Sequence, residues 1–131
     1  MTRIASLAAA AILASILGTP AHAGGSVSVS YHPTDPQHAQ ALGAGLRIYG
    51  LVKGLQNGSI TQNGIGNAAG LAQNGAGNFG VVHQHGNGHE GTVQQNGNGN
   101  AYGLFQFGQN TSGHAVQNGN GQSGATFQYG W

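Results

Sequence analysis

The chain contains no cysteine, and among its 131 residues only three are Lys or Arg and two are Asp or Glu. Without Cys there is no disulfide framework, no thiolate nucleophile and no thiolate metal site. Three basic residues cannot form the clusters that neutralise phosphates, so no nucleic-acid partner is expected. The two acids, Asp35 and Glu90, do not supply the recurrent carboxylate pair of a glycosidase. No Ser, His and Asp set recurs at a defined spacing, so neither an enzyme nor a cofactor is expected. What the chain has in excess is Gly, at 26 residues, with 12 Asn and 13 Gln, against a usual level of about 7% for Gly.

Residues 1 to 23 begin Met-Thr-Arg, continue with an apolar run from Ile4 to Leu17 and end Pro20-Ala21-His22-Ala23. A basic start, an apolar stretch of about 7 to 15 residues and an A-x-A site describe a secretory signal peptide, with cleavage expected after Ala23. The run is shorter than the ~20 residues needed to cross a bilayer, so no membrane span is expected in the mature chain. Beyond residue 23, Arg47 and Lys53 stand against Asp35 and Glu90. With His neutral the formal charges cancel, and near-zero net charge promotes association.

The dominant feature is a period of eleven. Gln stands at positions 62, 73, 84, 95, 106, 117 and 128 without a slip. Two residues after these glutamines come Gly64, Gly75, Gly86, Gly97, Gly108, Gly119 and Gly130. A second Gly follows at 66, 77, 88, 99 and 121, with Asn110 taking that place once. Asn tolerates left-handed backbone better than other side-chain-bearing residues, so a tight turn is expected after each Gln.

After the turn, positions five, seven, nine and eleven share one face of a strand, because side chains alternate with period 2. That face is expected to be the interior. The sixth, eighth and tenth positions, such as Phe79, Val81 and His83, are expected to point outward. A helix is excluded for the repeats, since interior glycines cost about 1 kcal/mol each and the spacing is 2, not 3.6.

One strand and turn cannot bury an inner face alone, so successive units must stack. The expected fold is all-β: a β-solenoid of 11-residue strand-turn units, two units per coil, with residue i stacked on i+22 at about 4.8 Å as in cross-β amyloid. Gln62, Gln84, Gln106 and Gln128 then form one ladder and Gln73, Gln95 and Gln117 the other. A second pair of columns reads Gln56, Asn78, Asn100, Gln122 and, facing it, Asn67, His89, Thr111. The first can donate and accept along its length; the second is interrupted and is expected to be the weaker face. Small residues fill most seventh positions, and Tyr102 is the misfit. Either its ring fills space left by facing glycines or the strand shifts.

The segment Gln62 to Gln73, QNGIGNAAGLAQ, resembles the repeat Gln-x-Gly-x-x-Asn-x-Ala-x-x-x-Gln of curlins, the subunits of bacterial curli amyloid fibres. The resemblance covers about residues 51 to 131. It implies a secreted subunit that polymerises at the cell surface into adhesive biofilm fibres, of the major or the minor, nucleating type. It also implies partners: other copies of itself, a second curlin-like subunit, and an outer-membrane export channel with accessory factors. On this reading 1–23 is a signal peptide, 24–50 a flexible export-targeting segment outside the core, and 51–131 the solenoid. Several units depart from the motif, with Gly for Ala and with His89 and Thr111 for Asn.

No capping element is expected, so both ends should present open strand edges that template pairing. Two open strands offer about ten backbone bonds at about 0.5 to 1.5 kcal/mol net, close to the roughly 4 to 15 kcal/mol or more that association costs. A lag before growth follows. The rival readings are a secreted metal binder using His83, His85 and His89, whose expected directions diverge, a disordered prion-like segment, and a ligand-binding monomeric solenoid. The unbroken register argues against disorder, and the mixed outward residues argue against a regular binding face.

Overall fold

The structure is a computed structural model that describes residues 24–54 and 58–131. The expected signal peptide and Gln56 lie outside the described residues. Within them the repeats form seven strands: β2 (Gly58–Asn63), β3 (Ala68–Asn74), β4 (Phe79–Asn87), β5 (Glu90–Asn96), β6 (Ala101–Gln109), β7 (Ser112–Asn118) and β8 (Ser123–Gly130). Ahead of them stand β1 (Ser26–Tyr31) and one helix, α1 (Pro36–Lys53).

The repeat strands alternate between two sheets. Sheet A has the order β1-β8-β6-β4-β2 and sheet B the order β3-β5-β7. Within each sheet neighbouring repeat strands are parallel and lie two units apart in sequence, pairing Gln62 with Gln84 and Gln84 with Gln106, or Gln73 with Gln95 and Gln95 with Gln117. The chain is therefore a β-solenoid with two units per coil, as the period requires.

The turns carry the backbone conformations that the glycines anticipate. Gly97 has φ 118°, and a Cβ there would lie 1.8 Å from the carbonyl oxygen of Gly119 in the next coil. Only glycine fits so tight a stack of backbones. Asn110, at φ 53°, is the one non-glycine residue with positive φ among the described residues, a conformation Asn adopts at modest cost.

The stretch 24–50, expected to be flexible and outside the core, is instead folded against the solenoid. Asp35 caps α1, its carboxylate accepting from the Gln37 N–H at 2.8 Å, and Pro36 takes a first-turn place where no N–H is missed. Gly54, at φ 73°, closes the helix, and Lys53 lies in the last turn, where a cation favours the helix dipole. The helix runs through the expected boundary at residue 50. Its buried stripe, Ala39, Gly43, Leu46 and Gly50, lies on the outer face of sheet A, where Leu46 joins Phe79, Val81 and Ala101, flanked by Leu42, Tyr49 and Phe105. Phe79 and Val81 point outward as expected, yet α1 buries them. Arg47 Nη2 adds hydrogen bonds to the carbonyls of Gly77 at 3.1 Å and Gly99 at 3.3 Å, in turns stacked one on the other in successive coils.

A second correction concerns the end of the stack. The β8 edge, expected to be uncovered, is paired with β1 in antiparallel sense, from Ser26 opposite Gly130 to Tyr31 opposite Ala125.

Candidate assembly interface

The interior between the sheets is a polar ladder set beside an apolar cluster. Gln side chains stack along each sheet: Nε2 of Gln62, Gln84 and Gln106 donates to Oε1 of the glutamine one coil on, at 2.9, 2.8 and 2.7 Å. Gln73 and Gln95 do the same in sheet B at 2.9 and 2.8 Å. Each of five glutamines also donates across the interior to a backbone carbonyl in the other sheet: Gln84 to Ala68, Gln95 to Phe79, Gln106 to Glu90, Gln117 to Ala101 and Gln128 to Ser112. One side chain thus joins its coil to the next and sheet to sheet. This accounts for a Gln at every eleventh position, since both hydrogens of its amide nitrogen are used. Gln84, Gln95 and Gln106 are 0% exposed, and no buried side-chain polar atom among the described residues lacks a partner.

The Asn columns work differently from the expected side-chain ladder. Asn78 Oδ1 accepts from the N–H of Asn100, and Asn100 Oδ1 from that of Gln122, each at 3.0 Å. Their Nδ2 atoms donate to the carbonyls of Gly97 and Gly119, each at 2.9 Å. Asn67 repeats the pattern with His89 N and Gly86 O. At this position the Asn side chains bond the backbone of the neighbouring coil on both sides of the amide and so staple one turn to the next. The facing column continues through its substitutions: His89 Nδ1 and Thr111 Oγ1 are hydrogen-bonded at 2.8 Å.

Beside these ladders lie Val82, Val93, Tyr102, Leu104 and Ala115, all buried. Tyr102 keeps the register, paired with Gly80 on one side and Gly124 on the other. Its ring occupies the space over Gly124, in its own column, and its hydroxyl bonds Thr126 Oγ1 at 2.5 Å and His32 Nε2 at 3.3 Å. Burial raises its pKa above the usual 10.0.

The two ends of the stack are the surfaces at which the ladders stop. At one end β2 and β3 are the outermost strands of their sheets, and Gln62, Gln73 and Ile60 are exposed there. At the other, β1 covers β8, while β7 is the outermost strand of sheet B. Sequence reasoning missed β1 and α1 as parts of this site. The signals were present: the alternating Ser-Val-Ser-Val-Ser of residues 26–30, the Asp35-Pro36 start and the Gly54 stop.

The histidines of the metal reading point three ways. His83 lies on the outer face against Phe107, ring centroids 5.8 Å apart, and His85 is exposed. His89 is inside. Burial, and then the neighbouring His85 and Lys53, lower the His83 pKa below its usual 6.5. Phe105 and Phe127, an outward pair on neighbouring strands of sheet A, stack at 4.9 Å with planes 10° apart.

Neither a protein-family model, nor a curated protein, nor a solved structure matches this chain. The fold and the site together define a β-solenoid whose ladders of amides and backbone stop at strand edges.

Proposed function

We propose that this chain is the structural subunit of an extracellular, curli-like amyloid fibre that polymerises at the cell surface, for adhesion and as biofilm matrix. The observation that carries the reading is the self-complementarity of the ladders. The contacts that join one coil to the next, Gln84 to Gln106 for example, are the contacts a further coil from another copy would make. An open parallel edge with polar pairing groups and almost no charge is a template for another strand. Export rests on residues 1 to 23 as a cleavable leader, with an outer-membrane channel and a second subunit as the partners that the curlin resemblance implies. The unbroken spacing of eleven supports a second reading, a nucleating subunit of the same fibre.

The experiment is to follow the purified chain with and without preformed seeds and to record fibre diffraction. The reading expects a lag that seeds abolish, with one reflection at about 4.8 Å and another at about 10 Å. A chain that stays soluble at high concentration, seeded or not, removes it. Growth without seeds by the wild type and acceleration of a related fibre at low molar ratio would favour the nucleating role.

A further inference from the structure

The β7/β8 end of the solenoid is closed in one sheet and open in the other. β1 is tied to β8 at its start by reciprocal backbone bonds between Gly25 and Trp131, at 2.9 and 2.8 Å. No strand among the described residues pairs with the outer edge of β7. Between that edge and the inward side of β1 lies a cleft of about 430 Å³, lined by Ser28, Ser30, Ser112, His114 and Gln128 among others.

The cleft lies where the alternation of sheets calls for the next strand. The seven repeat strands fall in sheets A, B, A, B, A, B and A. A second copy stacked on this end therefore continues the alternation only with its sheets exchanged, its β2 on β7 and its β3 on β8. The eleven-residue spacing then sets Gln62 of the second copy beside Gln117 and its Gln73 beside Gln128. The first of these places is vacant among the described residues. β1 holds the second.

We propose that β1 is an exchangeable end cap, and that the cleft beside β7 receives β2 of a second copy before that copy's β3 displaces β1 from β8. The proposal rests on the self-assembly reading above and names the surface and the order of events by which it occurs. β1 is a poor substitute for a repeat strand. Gln128 Nε2 reaches Ser28 Oγ at 3.4 Å, whereas contacts from glutamine to glutamine in the ladders are 2.7 to 2.9 Å. Glutamine from a second copy restores the shorter contact. Ser30 bonds Thr126 at 2.8 Å, but among the described residues no strand faces β1 across the interior, and every β1 residue except Val27 is exposed. The inward row Ser28, Ser30, His32 carries no amide to extend the ladder, so sheet A ends there while β1 remains. Docking beside β7 gives the incoming copy a foothold from which it competes for β8 at high effective concentration. After exchange β1 stays tethered through residues 32–35 to α1, which Leu46 holds on sheet A.

The test uses the absence of cysteine. Val29 and Phe127 are directly opposed and outward on the β1–β8 pair, and opposed antiparallel residues lie about 4.5 to 5.5 Å apart at Cα, within reach of a disulfide. Val29→Cys with Phe127→Cys therefore locks the cap when oxidised and frees it when reduced. Monomers of each form are added to wild-type fibres and elongation is measured by pelleting. The expected result is that oxidised chains stall after about one layer, at least ~10-fold slower than the reduced variant, because a locked end exposes no full coil edge. Val29→Pro is the second variant. The alternation from the Gly25–Trp131 pair gives the Val29 N–H to Phe127, and proline removes it, so elongation should quicken several-fold. Equal elongation of oxidised and reduced chains overturns the cap and leaves self-assembly standing. If the cysteine pair slows growth even when reduced, Val29→Pro decides: faster growth upholds the cap and wild-type growth overturns it. If wild-type chains do not extend fibres at all, the self-assembly reading fails, and the cap with it.

Discussion

Sheet A and sheet B share one interior and have different exteriors. Inside, both carry the same glutamine ladder, with contacts of 2.7 to 2.9 Å in one and 2.8 to 2.9 Å in the other. Outside, sheet A presents Phe79, Val81, Ala101 and Phe105, which α1 covers. Sheet B presents Glu90, Gln94, Ser112 and Val116, all exposed. The eleven-residue period thus encodes the coil, and a superimposed period of twice that length encodes what lies on it. On the proposed assembly, such a stack would grow through its interior and leave each outer face to a separate use.

The sharpest way to break the equivalence of the interiors is at mid-stack. Gln95→Ala removes the donor that Gln95 supplies to buried Gln117 Oε1, the acceptor of Gln73 Nε2 in the ladder and the bond across the interior to the Phe79 carbonyl. We expect a loss of ~2 to 4 kcal/mol in urea unfolding, since a buried group left unpaired costs about 1 to 3 kcal/mol and each further lost bond about 1 kcal/mol. Gln84→Ala in sheet A should match it within ~1 kcal/mol, and the exposed Gln62→Ala should cost less than ~1 kcal/mol. A large gap between Gln84 and Gln95 would show that the interiors are not equivalent.

The next test touches one exterior only. Leu46→Ala should cost ~2 to 4 kcal/mol of helix docking and reduce the helical circular dichroism signal while strand signal persists. Loss of both together would make α1 part of the solenoid's own folding unit.

A smaller effect is expected within the apolar cluster. Tyr102→Phe keeps the ring over Gly124 but removes one of the two partners of the Thr126 hydroxyl, Ser30 remaining, for ~1 kcal/mol in the same unfolding assay.

The smallest concerns pH. His83 has a lowered pKa in the fold, so below about 6.5 the unfolded chain binds a proton that folded His83 resists. Its contribution to stability is full above 6.5 and falls as pH drops from there to the lowered folded value. His83→Phe should therefore flatten the decline of stability as pH falls below about 6.5. Curves that remain parallel would remove His83 as the cause.

Much of this architecture was legible because the information is local and repeated. The Gln and the Gly two residues after it recur seven times, and a second turn position follows six times, so even the left-handed Asn110 could be assigned by its place in the period. What the period could not convey was anything occurring once. The antiparallel pairing of residues 26–31 with 125–130 joins distant segments through backbone, and Ser-Val alternation says strand without naming a neighbour. The helix was signalled by Asp35-Pro36, by the stripe Ala39, Gly43, Leu46 and by Gly54, but the prolines and polar residues nearby suit a segment outside the core equally well. Of the column Gln56, Asn78, Asn100, Gln122, Asn78 and Asn100 are buried as expected, Gln122 is exposed and Gln56 lies outside the described residues. Its bonds run to backbone and not along a side-chain ladder. Position decides this and not residue type: at the end of the turn the Asn amide meets the next coil's backbone, whereas Asn96 donates to the Asn118 side chain one coil on.

Mass per unit length of the fibres tests the central claim most directly. Seven repeat strands at two per coil and ~4.8 Å per coil advance the fibre by about 17 Å per chain, so a single filament should contain one chain per ~17 Å by scanning transmission electron microscopy. One chain per ~4.8 Å would mean that each chain lies flat in a single layer, and the end-to-end continuation of the coils would be contradicted.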